Sequence, residues 1–362
     1  MVDLEKARNS INRIDKEMAS LFEERMIAVK DIALYKKQVG LQVYDEKREQ
    51  EVINNNSSYI DDNEFLPYYV NFIKSNMKIS RAYQRRIISG TQIAISGTKG
   101  AFADITANKV FPEAENVSFA DFLSAYKSVE KGESDLAFLP LENSFGGDVG
   151  AVLDLSFFGT LYINGIYESS IVQNLVGLES AKLSDIKTVF SHPQALLQCN
   201  EFIRENGFDT EESLNTTAAA KTVLDKNDKT VAAICSAEAA NTFGLKIIKG
   251  HINESNQNTT RFAVFSRTMK EANNIDDRFV LMFTVKNTAG ALSKAITVIG
   301  KYGFNLLDLK SRPTKLENWN HYFYIEGEGN IYSDSGKAMV EELEKCCDNF
   351  KIVGSFKKEA RV

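Results

Sequence analysis

Apolar residues in the first 90 positions recur at steps of three and four, the spacing of amphipathic helices. The recurring residues are Ile11, Ile14, Met18, Leu21, Ala28, Ile32 and Tyr35. This run predicts one long helix that ends at Gly40, a second helix capped by Asp45, and a third within residues 64–88. Because two shorter helices leave much of the long apolar stripe uncovered, we expect a helical bundle that pairs with a second copy of the chain.

From about residue 91, short apolar segments alternate with helical patterns. The apolar segments include "QIAIS", "SDLAFLP", "TVFSH" and "VAAICS", and the helical ones include "FADFLSAYKSVEKG", "PQALLQCNEFIRENG" and "TTAAAKTVL". This alternation predicts an α/β fold with mainly parallel sheets. The stretch is long enough for two lobes with a cleft between them, and we expect ligands at the carboxyl ends of the strands.

A third pattern begins near Arg278, after a polar run at residues 268–277 that is typical of a linker. Its segments follow the order βαββαβ within about 80 residues, which predicts a small α+β domain with a ferredoxin-like fold. The pattern therefore predicts three domains, at residues 1–90, 91–270 and 275–362.

Composition narrows the classes of function. The chain has 362 residues, 43% of them apolar, and a formal net charge of −6. This charge argues against a nucleic-acid partner. The four cysteines lack the spacing of a metal site and are interpreted as reduced packing residues. We expect no metal, no cofactor and no membrane contact, and a cytoplasmic location, since neither an apolar leader nor a spanning segment is visible.

Three cations lie along or beside the apolar stripe of the first predicted helix. Arg25 falls on the same heptad position as apolar residues of the stripe, and Arg8 and Lys36 fall beside it. A buried guanidinium without a partner costs several kcal/mol, so these cations need either internal carboxylates or an anionic ligand. From their positions alone, salt bridges between helices, which set helix register, are the more common explanation.

The other two predicted helices add polar residues at helical spacing. Asp45, Arg48 and Glu49 share one helical face, and Ser80 and Gln84 lie one turn apart. Together with the three cations of the first helix, these side chains would form a pocket of cations, carboxylates, a hydroxyl and an amide. Such a pocket suits a small dicarboxylate that bears a hydroxyl and an ether oxygen.

These eight positions, in register, resemble the all-helical chorismate mutases. The resemblance implies rearrangement of chorismate to prephenate, which requires a reactive conformer and stabilisation of the charge that builds on the ether oxygen. It implies that carboxylates are clamped by Arg8, Arg25 and Arg48, that the ether oxygen is bound by Lys36 and Gln84, that the substrate hydroxyl is bound by Glu49, and that Asp45 and Ser80 also bind substrate. It further implies that the first arginine comes from a partner subunit.

Four loops of the middle segment carry polar or glycine residues: "SGTKGAF", "PLENSFGG", "SHPQALLQC" and "NQNTTRFAVF". Taken singly, each has an ordinary explanation. Gly97 and Gly100 fit a strand-to-helix turn, Glu142 begins a possible turn with a helix cap, His192 fits a cap or a core position, and Arg261 fits the surface.

In this order, the four loops resemble prephenate dehydratase over residues 92–267, most specifically at Thr260-Arg261-Phe262. The resemblance implies a two-lobed fold like that of periplasmic binding proteins, and conversion of prephenate to phenylpyruvate. It implies that Thr260 donates or relays a proton to the leaving hydroxyl and that Arg261 binds a carboxylate or orients its loop. It places among the substrate-binding residues Glu142, Asn143, Ser144, Arg261 and Phe262.

The middle segment departs from the family's usual pattern at several positions. Thr98 replaces a proline, Ala101 and Ala103 replace hydroxyl residues, and Gln173 stands where a histidine is common. Two alternatives therefore stay open. Either the middle domain is catalytically altered and senses an amino acid, or it is an arogenate dehydratase or a prephenate decarboxylase.

The last segment resembles the regulatory ACT domain attached to prephenate dehydratases. The resemblance rests on "GAL" and "SRP", and Lys310 replaces the usual glutamate before the latter. It implies that phenylalanine binds between two subunits at Gly290, Ala291, Leu292, Ser311, Arg312 and Pro313. The same two motifs could also mark only the start of a helix and a proline that ends a strand. The whole chain is thus expected to be a bifunctional, phenylalanine-regulated enzyme that forms a homodimer or homotetramer.

Overall fold

The computed structural model describes residues 3–255, 257–271, 275–314, 320–358 and 361–362. The chain forms two compact units, Met1–Gln92 with Gly132–Asp135 and Ile93–Lys131 with Leu136–Val362. The predicted linker at residues 268–277 lies partly outside the described residues, at 272–274. The division into three domains at the predicted boundaries stays a prediction.

Three helices build the first unit, as the hydrophobic spacing predicts. They are α1 (Leu4–Val39), α2 (Glu46–Ser57) and α3 (Leu66–Ser89). Gly40 ends α1 in the left-handed conformation (φ 70°), which glycine adopts at little cost. The carboxylate of Asp45 begins α2 by accepting a hydrogen bond from the Arg48 backbone N–H at 3.0 Å. The predicted cap and the predicted helix stop are both confirmed.

The apolar stripe of α1 is mostly uncovered within one chain. Among the described residues of α1, only Val29 and Ala33 are buried. The exposed apolar side chains of α1 include Leu4, Ile11, Ile14, Met18, Leu21, Phe22, Ile27, Ile32, Leu34, Tyr35 and Val39. So many exposed apolar side chains on one helix are typical of a protein–protein interface.

An α/β segment occupies most of the second unit. Its strands are β1 (Gln92–Ser96), β2 (Glu115–Phe119), β3 (Leu136–Asn143), β4 (Gly147–Asp148), β5 (Tyr162–Ser170), β6 (Asn174–Gly177), β7 (Thr188–Ser191), β8 (Asp209–Glu212), β9 (Val231–Cys235), β10 (Lys246–Lys249) and β11 (Thr259–Ser266). Its α-helices are α4 (Phe102–Val110), α5 (Phe122–Lys131), α6 (Gly150–Phe158), α7 (Pro193–Gln198), α8 (Asn200–Asn206), α9 (Thr216–Lys226) and α10 (Ala237–Thr242), with a 3₁₀ turn at Leu183–Asp185.

The strands form two sheets, one in each of two lobes. The first has the order β2-β1-β3-β11-β5, with β4 beside β3, and the second has the order β10-β6-β9-β7-β8. The expectation of mainly parallel sheets is wrong, because β11 is antiparallel to both β3 and β5, and β6 is antiparallel to β9 and β10. The reason is the path of the chain, which leaves the first lobe after β5 and returns to it through β11.

The last segment has the predicted βαββαβ order. Its elements are β12 (Arg278–Thr284), α11 (Ala291–Lys301), β13 (Asn305–Pro313), β14 (His321–Glu328), α12 (Asp334–Cys346) and β15 (Asp348–Phe356). The strands form an antiparallel sheet of order β13-β14-β12-β15, which is the ferredoxin-like arrangement.

Both faces of this antiparallel sheet are covered. Phe279 and Leu281 pack against α11 and α12 in one core. Val280, Met282 and Tyr324 lie on the opposite face and share a second core with residues of the first lobe, including Ile163. The ferredoxin-like segment is therefore fixed to the α/β segment by a shared apolar core. No helix in the described stretches is both long and apolar enough to cross a bilayer.

Strand β15 approaches β5 so closely that only glycine fits at one position. A Cβ atom added to Gly354 would lie 2.1 Å from the backbone oxygen of Ile163. We predict that Gly354→Ala lowers the free energy of unfolding of the second unit by about 1–3 kcal/mol, because backbone must move to admit the methyl group. Urea denaturation followed by near-ultraviolet circular dichroism measures this loss.

Gly300→Ala provides the matched control for this prediction. Gly300 lies in α11 with no atom within 4 Å of the added Cβ, so the change is expected to be neutral or to stabilise by up to about 1 kcal/mol. Equal destabilisation by the two alanines would contradict the close approach of β15 and β5.

Candidate active sites

The helical unit brings Arg25 of α1 against Ser80 of α3. The Arg25 guanidinium donates a short hydrogen bond to the Ser80 hydroxyl, which donates in turn to the backbone oxygen of Asn76 at 2.8 Å. Burial lowers the pKa of Arg25. No carboxylate among the described residues pairs with Arg25, and an arginine held in this way beside a buried hydroxyl is well suited to bind an anionic ligand.

Gln84 lies one turn after Ser80 on the buried face of α3. Its side-chain oxygen makes no hydrogen bond within the part of the chain that the structure describes, although the residue is only 8% exposed. Lys36 donates from its ammonium to the backbone oxygen of Val43 at 2.6 Å, which leaves two of its three N–H donors for other acceptors. Buried polar groups normally have partners, so the unpaired oxygen of Gln84 calls for a hydrogen-bond donor.

Glu49 of α2 is paired with a cation that the sequence patterns did not indicate. Arg81 forms an ion pair with Glu49, each side chain being 23% exposed, and its guanidinium lies 5.5 Å from the centre of the Tyr44 ring. Helical periodicity could not select Arg81, because it follows Ser80 directly and lies on a different face of α3. Only its charge, opposite to that of Glu49, could have indicated it.

Three of the predicted mutase residues are exposed in a single chain. Asp45 serves as the cap of α2, and Arg48 pairs with Glu51 at 3.2 Å in solvent. Arg8 lies seventeen residues before Arg25, about 25 Å away along α1 at 1.5 Å per residue. The structure therefore brings Arg25 and Ser80 together, whereas Arg8 is distant from them along α1 and the side chains of Asp45 and Arg48 make local contacts in α2.

In the first lobe, Asn143 ends β3 and is the centre of a buried hydrogen-bond cluster. Its amide nitrogen donates to the Thr260 hydroxyl at 2.9 Å, to the Asn258 side-chain oxygen at 2.9 Å and to the Thr259 backbone oxygen at 3.0 Å. Its amide oxygen accepts from two backbone N–H groups of the following turn, at 3.0 and 2.8 Å. Asn143 therefore fixes the end of β3 against the start of β11.

The Thr260 hydroxyl is buried and poised to donate a proton. Because its oxygen already accepts a hydrogen bond from Asn143, its own hydrogen is oriented toward another acceptor. Ser144 supports the same strand end, since its hydroxyl accepts from the Thr259 backbone N–H at 3.0 Å. Asn258 was not predicted as a site residue. The only indication in the sequence was its position two residues before Thr260.

Other residues of the two predicted motifs make structural contacts. The ring of Phe262 is 2% exposed and stacks on Phe138 with centroids 5.0 Å apart, so it is a core residue of the first lobe. Arg261 points to the ferredoxin-like sheet, where Glu326 holds its guanidinium at 2.7 Å. Of the two roles predicted for Arg261, this geometry matches orientation of the strand. Glu142 lies on the same side, 3.5 Å from Arg261.

The two lobes approach each other at Gly100. The Ser236 hydroxyl donates to the backbone oxygen of Gly100 at 2.9 Å. A Cβ atom at Gly100 (φ 85°) would lie 3.3 Å from the Cα atom of Ala239. His192 caps α7, because its Nδ1 atom accepts a hydrogen bond from the Gln194 backbone N–H at 3.2 Å. Of the two ordinary explanations given for His192, a helix cap and a core position, the structure matches the cap.

The substituted positions of the first loop have structural roles. Ala101 is the N-cap residue of α4, and Ala103 is packed in the core of the first lobe. Gln173 is 2% exposed and donates to the side-chain oxygen of Gln198 at 3.2 Å. A hydroxyl at position 101 would therefore lie at a helix cap, and one at position 103 would lie in the core.

Predicted effector residues lie at two places in the ferredoxin-like segment. Gly290 is left-handed (φ 82°) and caps α11, of which Ala291 is the first residue, and Leu292 packs partly against the core. Ser311 and Pro313 are exposed on β13, whereas the Arg312 guanidinium is bound to Asp154 of α6 at 2.9 and 3.2 Å. Arg312 thus ties β13 to the α/β segment.

The fold and its two sites define a class of enzyme: a helical-bundle mutase joined to a two-lobed α/β dehydratase. Family comparisons agree, since chorismate mutase type II matches residues 7–85 and prephenate dehydratase matches residues 93–270. The chain belongs to the bifunctional chorismate mutase/prephenate dehydratase family. No cluster of three or more potential metal ligands occurs among the residues described.

Individual relatives cover either the whole chain or its last three quarters. A bifunctional chorismate mutase/prephenate dehydratase of Buchnera aphidicola is 28% identical over 97% of this chain and 96% of its own. An Arabidopsis thaliana arogenate dehydratase/prephenate dehydratase is 30% identical over 74% of this chain and 72% of its own. The prephenate dehydratase of Arthrobacter aurescens, solved in complex with L-Phe, is 26% identical, with a TM-score of 0.68 over 74% of this chain and 90% of its own.

The cluster at the end of β3 gives a sharp prediction. Asn143→Asp keeps the shape of the side chain but removes both amide donors, so the Thr260 hydroxyl must donate to the new carboxylate and cannot donate outward. We expect dehydration of prephenate to slow by about 100-fold, the typical contribution of a positioned proton donor. Phenylpyruvate formation from prephenate measures the rate.

Mutase activity of the same variant is the internal control, because Asn143 lies in the second compact unit and the mutase residues lie in the first. An Asn143→Asp protein that dehydrates prephenate at the rate of the unchanged protein would show that Thr260 needs no orientation by Asn143.

Proposed function

We propose that this chain converts chorismate to prephenate in its helical unit and prephenate to phenylpyruvate in its two-lobed segment. The observation that carries the second step is the hydrogen bond from the Asn143 amide to the buried Thr260 hydroxyl. Neither step needs a cofactor. The cytoplasmic location expected from the sequence stays a prediction.

For the mutase, the proposed residues act by positioning and by charge. Arg25 binds a substrate carboxylate, and the hydrogen bond to the Ser80 hydroxyl orients its guanidinium. Lys36 and Gln84 donate to the ether oxygen as negative charge builds there, and Glu49, held by Arg81, accepts from the substrate hydroxyl. Preorganised donors of this kind stabilise a pericyclic transition state without a nucleophile.

In the proposed dehydration, Thr260 supplies a proton to the leaving ring hydroxyl. The bond between the ring and its carboxylate breaks, its electrons complete the aromatic ring, and the hydroxyl departs as water. The products are phenylpyruvate, carbon dioxide and water. A threonine is a weak acid in water, so the step depends on a buried donor in a site closed to solvent.

The structural roles of Ala101 and Ala103 favour catalysis over the alternative of a catalytically altered sensor. A missing hydroxyl at a helix cap and another in the core leave the surroundings of Thr260 and Asn143 intact. Prephenate is favoured over arogenate as the substrate because the helical unit of the same chain would produce it.

We further propose that phenylalanine regulates the enzyme through an ACT-type ferredoxin-like domain. The left-handed turn at Gly290 exposes backbone N–H groups at the start of α11, which suit a carboxylate, and Ser311 is exposed on β13. The relative from Arthrobacter aurescens was solved with L-Phe, which supports this ligand.

The mutase site is proposed to form between two copies of the chain. The exposed apolar stripe of α1 needs a partner, and Arg8 lies too far from Arg25 to act in the same site of one chain. In an antiparallel pairing of two α1 helices, Arg8 of one copy would approach Arg25 of the other.

Separate substitutions should remove the two proposed steps separately. Thr260→Val keeps the shape of the side chain and removes the proton donor, so the protein supplied with chorismate should accumulate prephenate and form phenylpyruvate at least about 100-fold more slowly. Thr259→Val, the neighbouring residue on the same strand, is the matched control. Phenylpyruvate formed by Thr260→Val at the rate of the unchanged protein would refute the role of Thr260.

Subunit mixing tests the shared mutase site. Arg8→Gln and Lys36→Gln should each abolish most mutase activity, but coexpression of the two should restore about a quarter of it. The reason is that half of the dimers are mixed and each mixed dimer has one intact site. Differently tagged subunits allow the mixed dimer to be purified and assayed. An inactive mixed dimer would place Arg8 and Lys36 in the same site of one chain.

A further inference from the structure

Lys310 of β13 connects the ferredoxin-like segment to the end of β3. Its ammonium lies 2.9 Å from Glu142, 2.7 Å from Asp148 and 2.6 Å from Asp308, and its side chain is only 9% exposed. Burial acts to lower the pKa of Lys310, but hydrogen bonds to Asp148, Asp308 and Glu142 outweigh it and raise the pKa. Two of these three carboxylates belong to the α/β segment, so the lysine ties two segments together.

A second ion pair joins the same sheet to β11. Both carboxylate oxygens of Glu326, on β14, lie 2.7 Å from the Arg261 guanidinium, and the Glu326 side chain is 6% exposed. Arg261 also lies 3.5 Å from Glu142, which Lys310 contacts. Lys310, Glu142, Arg261 and Glu326 therefore form one continuous network, which we call the back-face network.

The back-face network lies directly behind the proposed dehydratase residues. In the antiparallel pairing of β3 with β11, Arg261 is opposite Glu142 and Thr260 is opposite Asn143. Because successive residues of a strand point to opposite faces, the side chains of Glu142 and Arg261 leave their strands away from Asn143 and Thr260. A displacement of either strand at the network would move the residues on the front by the same amount.

We propose that Lys310 and Glu326 are positioning residues for the dehydration, holding β3 and β11 from behind so that Asn143 and Thr260 keep their geometry. This inference rests on the proposed dehydratase function. It makes the ferredoxin-like segment a structural part of the dehydratase site as well as a regulatory segment. Lys310 directly precedes Ser311, so a shift of β13 on effector binding would reach Glu142 through this lysine.

The connection through Lys310 depends on the positive charge of this residue. The pattern that the segment resembles has glutamate at position 310, and a glutamate there would repel Glu142 and Asp148. Loss of the lysine leaves three neighbouring carboxylates without their shared cation, which is strongly destabilising for the local arrangement.

Kinetics of the full chain test the proposal. Lys310→Gln should lower kcat for prephenate dehydration about tenfold, with KM changed much less, because misplaced strands affect the reacting geometry more than the binding of substrate. Lys310→Arg, which keeps the charge, should recover most of the rate. Mutase activity, carried by the other compact unit, should not change.

Lys351 offers a matched control at the same junction of the two segments. Its ammonium donates to the backbone oxygens of Ser156 and Gly159 at 3.0 and 2.7 Å, without contact to the back-face network. Lys351→Gln should leave the dehydratase kcat within twofold of the unchanged protein. An equal loss in Lys310→Gln and Lys351→Gln, or no loss in Lys310→Gln, would overturn the proposal.

Hydrogen exchange separates this inference from the proposed function. Lys310→Gln, or Glu326→Gln if the former fails to fold, should speed amide exchange in the peptides that contain β3 and β11, and Lys351→Gln should not. Unchanged exchange in β3 and β11 would also overturn the proposal. A wild-type protein that forms no phenylpyruvate would refute the dehydratase function, and the exchange result would still decide whether the network holds the strands.

Discussion

The free-energy cost of burying positive charge is the constraint on which both sites depend. A buried cation must have an anionic or strongly polar partner, and the two compact units meet this demand differently. Arg25 in the helical unit is held by a hydroxyl, which leaves its charge available for a ligand. Arg261 and Lys310 in the second unit are neutralised by carboxylates of the protein itself. The first arrangement suits binding, and the second suits structural support.

The alternation of side chains along a strand separates chemistry from support in the second unit. On β11, Thr260 is directed to the hydrogen-bond cluster of Asn143 and the next residue, Arg261, is directed to Glu326 on the ferredoxin-like sheet. Thr260 and Arg261, which are adjacent in one motif, therefore have different roles. A resemblance in sequence gives both residues to the site, but only backbone geometry shows which of them faces the reacting groups.

The helices were predictable from the sequence because local chemistry specifies them. The stop at Gly40 and the cap at Asp45 follow from backbone conformation and side-chain hydrogen bonding alone. The antiparallel insertion of β11 was not predictable in this way, because it depends on a chain reversal between lobes that leaves no local pattern. The core position of Phe262 was not predicted, because strand periodicity does not tell which face of a strand is the core. The role of Arg81 was not predicted either, because its partner, Glu49, lies on another helix.

The closeness of the lobes explains why rigidity behind the strands matters. At Gly100 the two lobes approach so closely that an added Cβ atom would lie 3.3 Å from the Cα atom of Ala239, and a hydrogen bond from Ser236 joins them. Contact between lobes excludes water, and a site that is poor in water strengthens the action of a weak acid. Because the ferredoxin-like sheet shares a core and an ion-pair network with the first lobe, the strands that carry Asn143 and Thr260 are supported from the side opposite to the Asn143–Thr260 hydrogen bond.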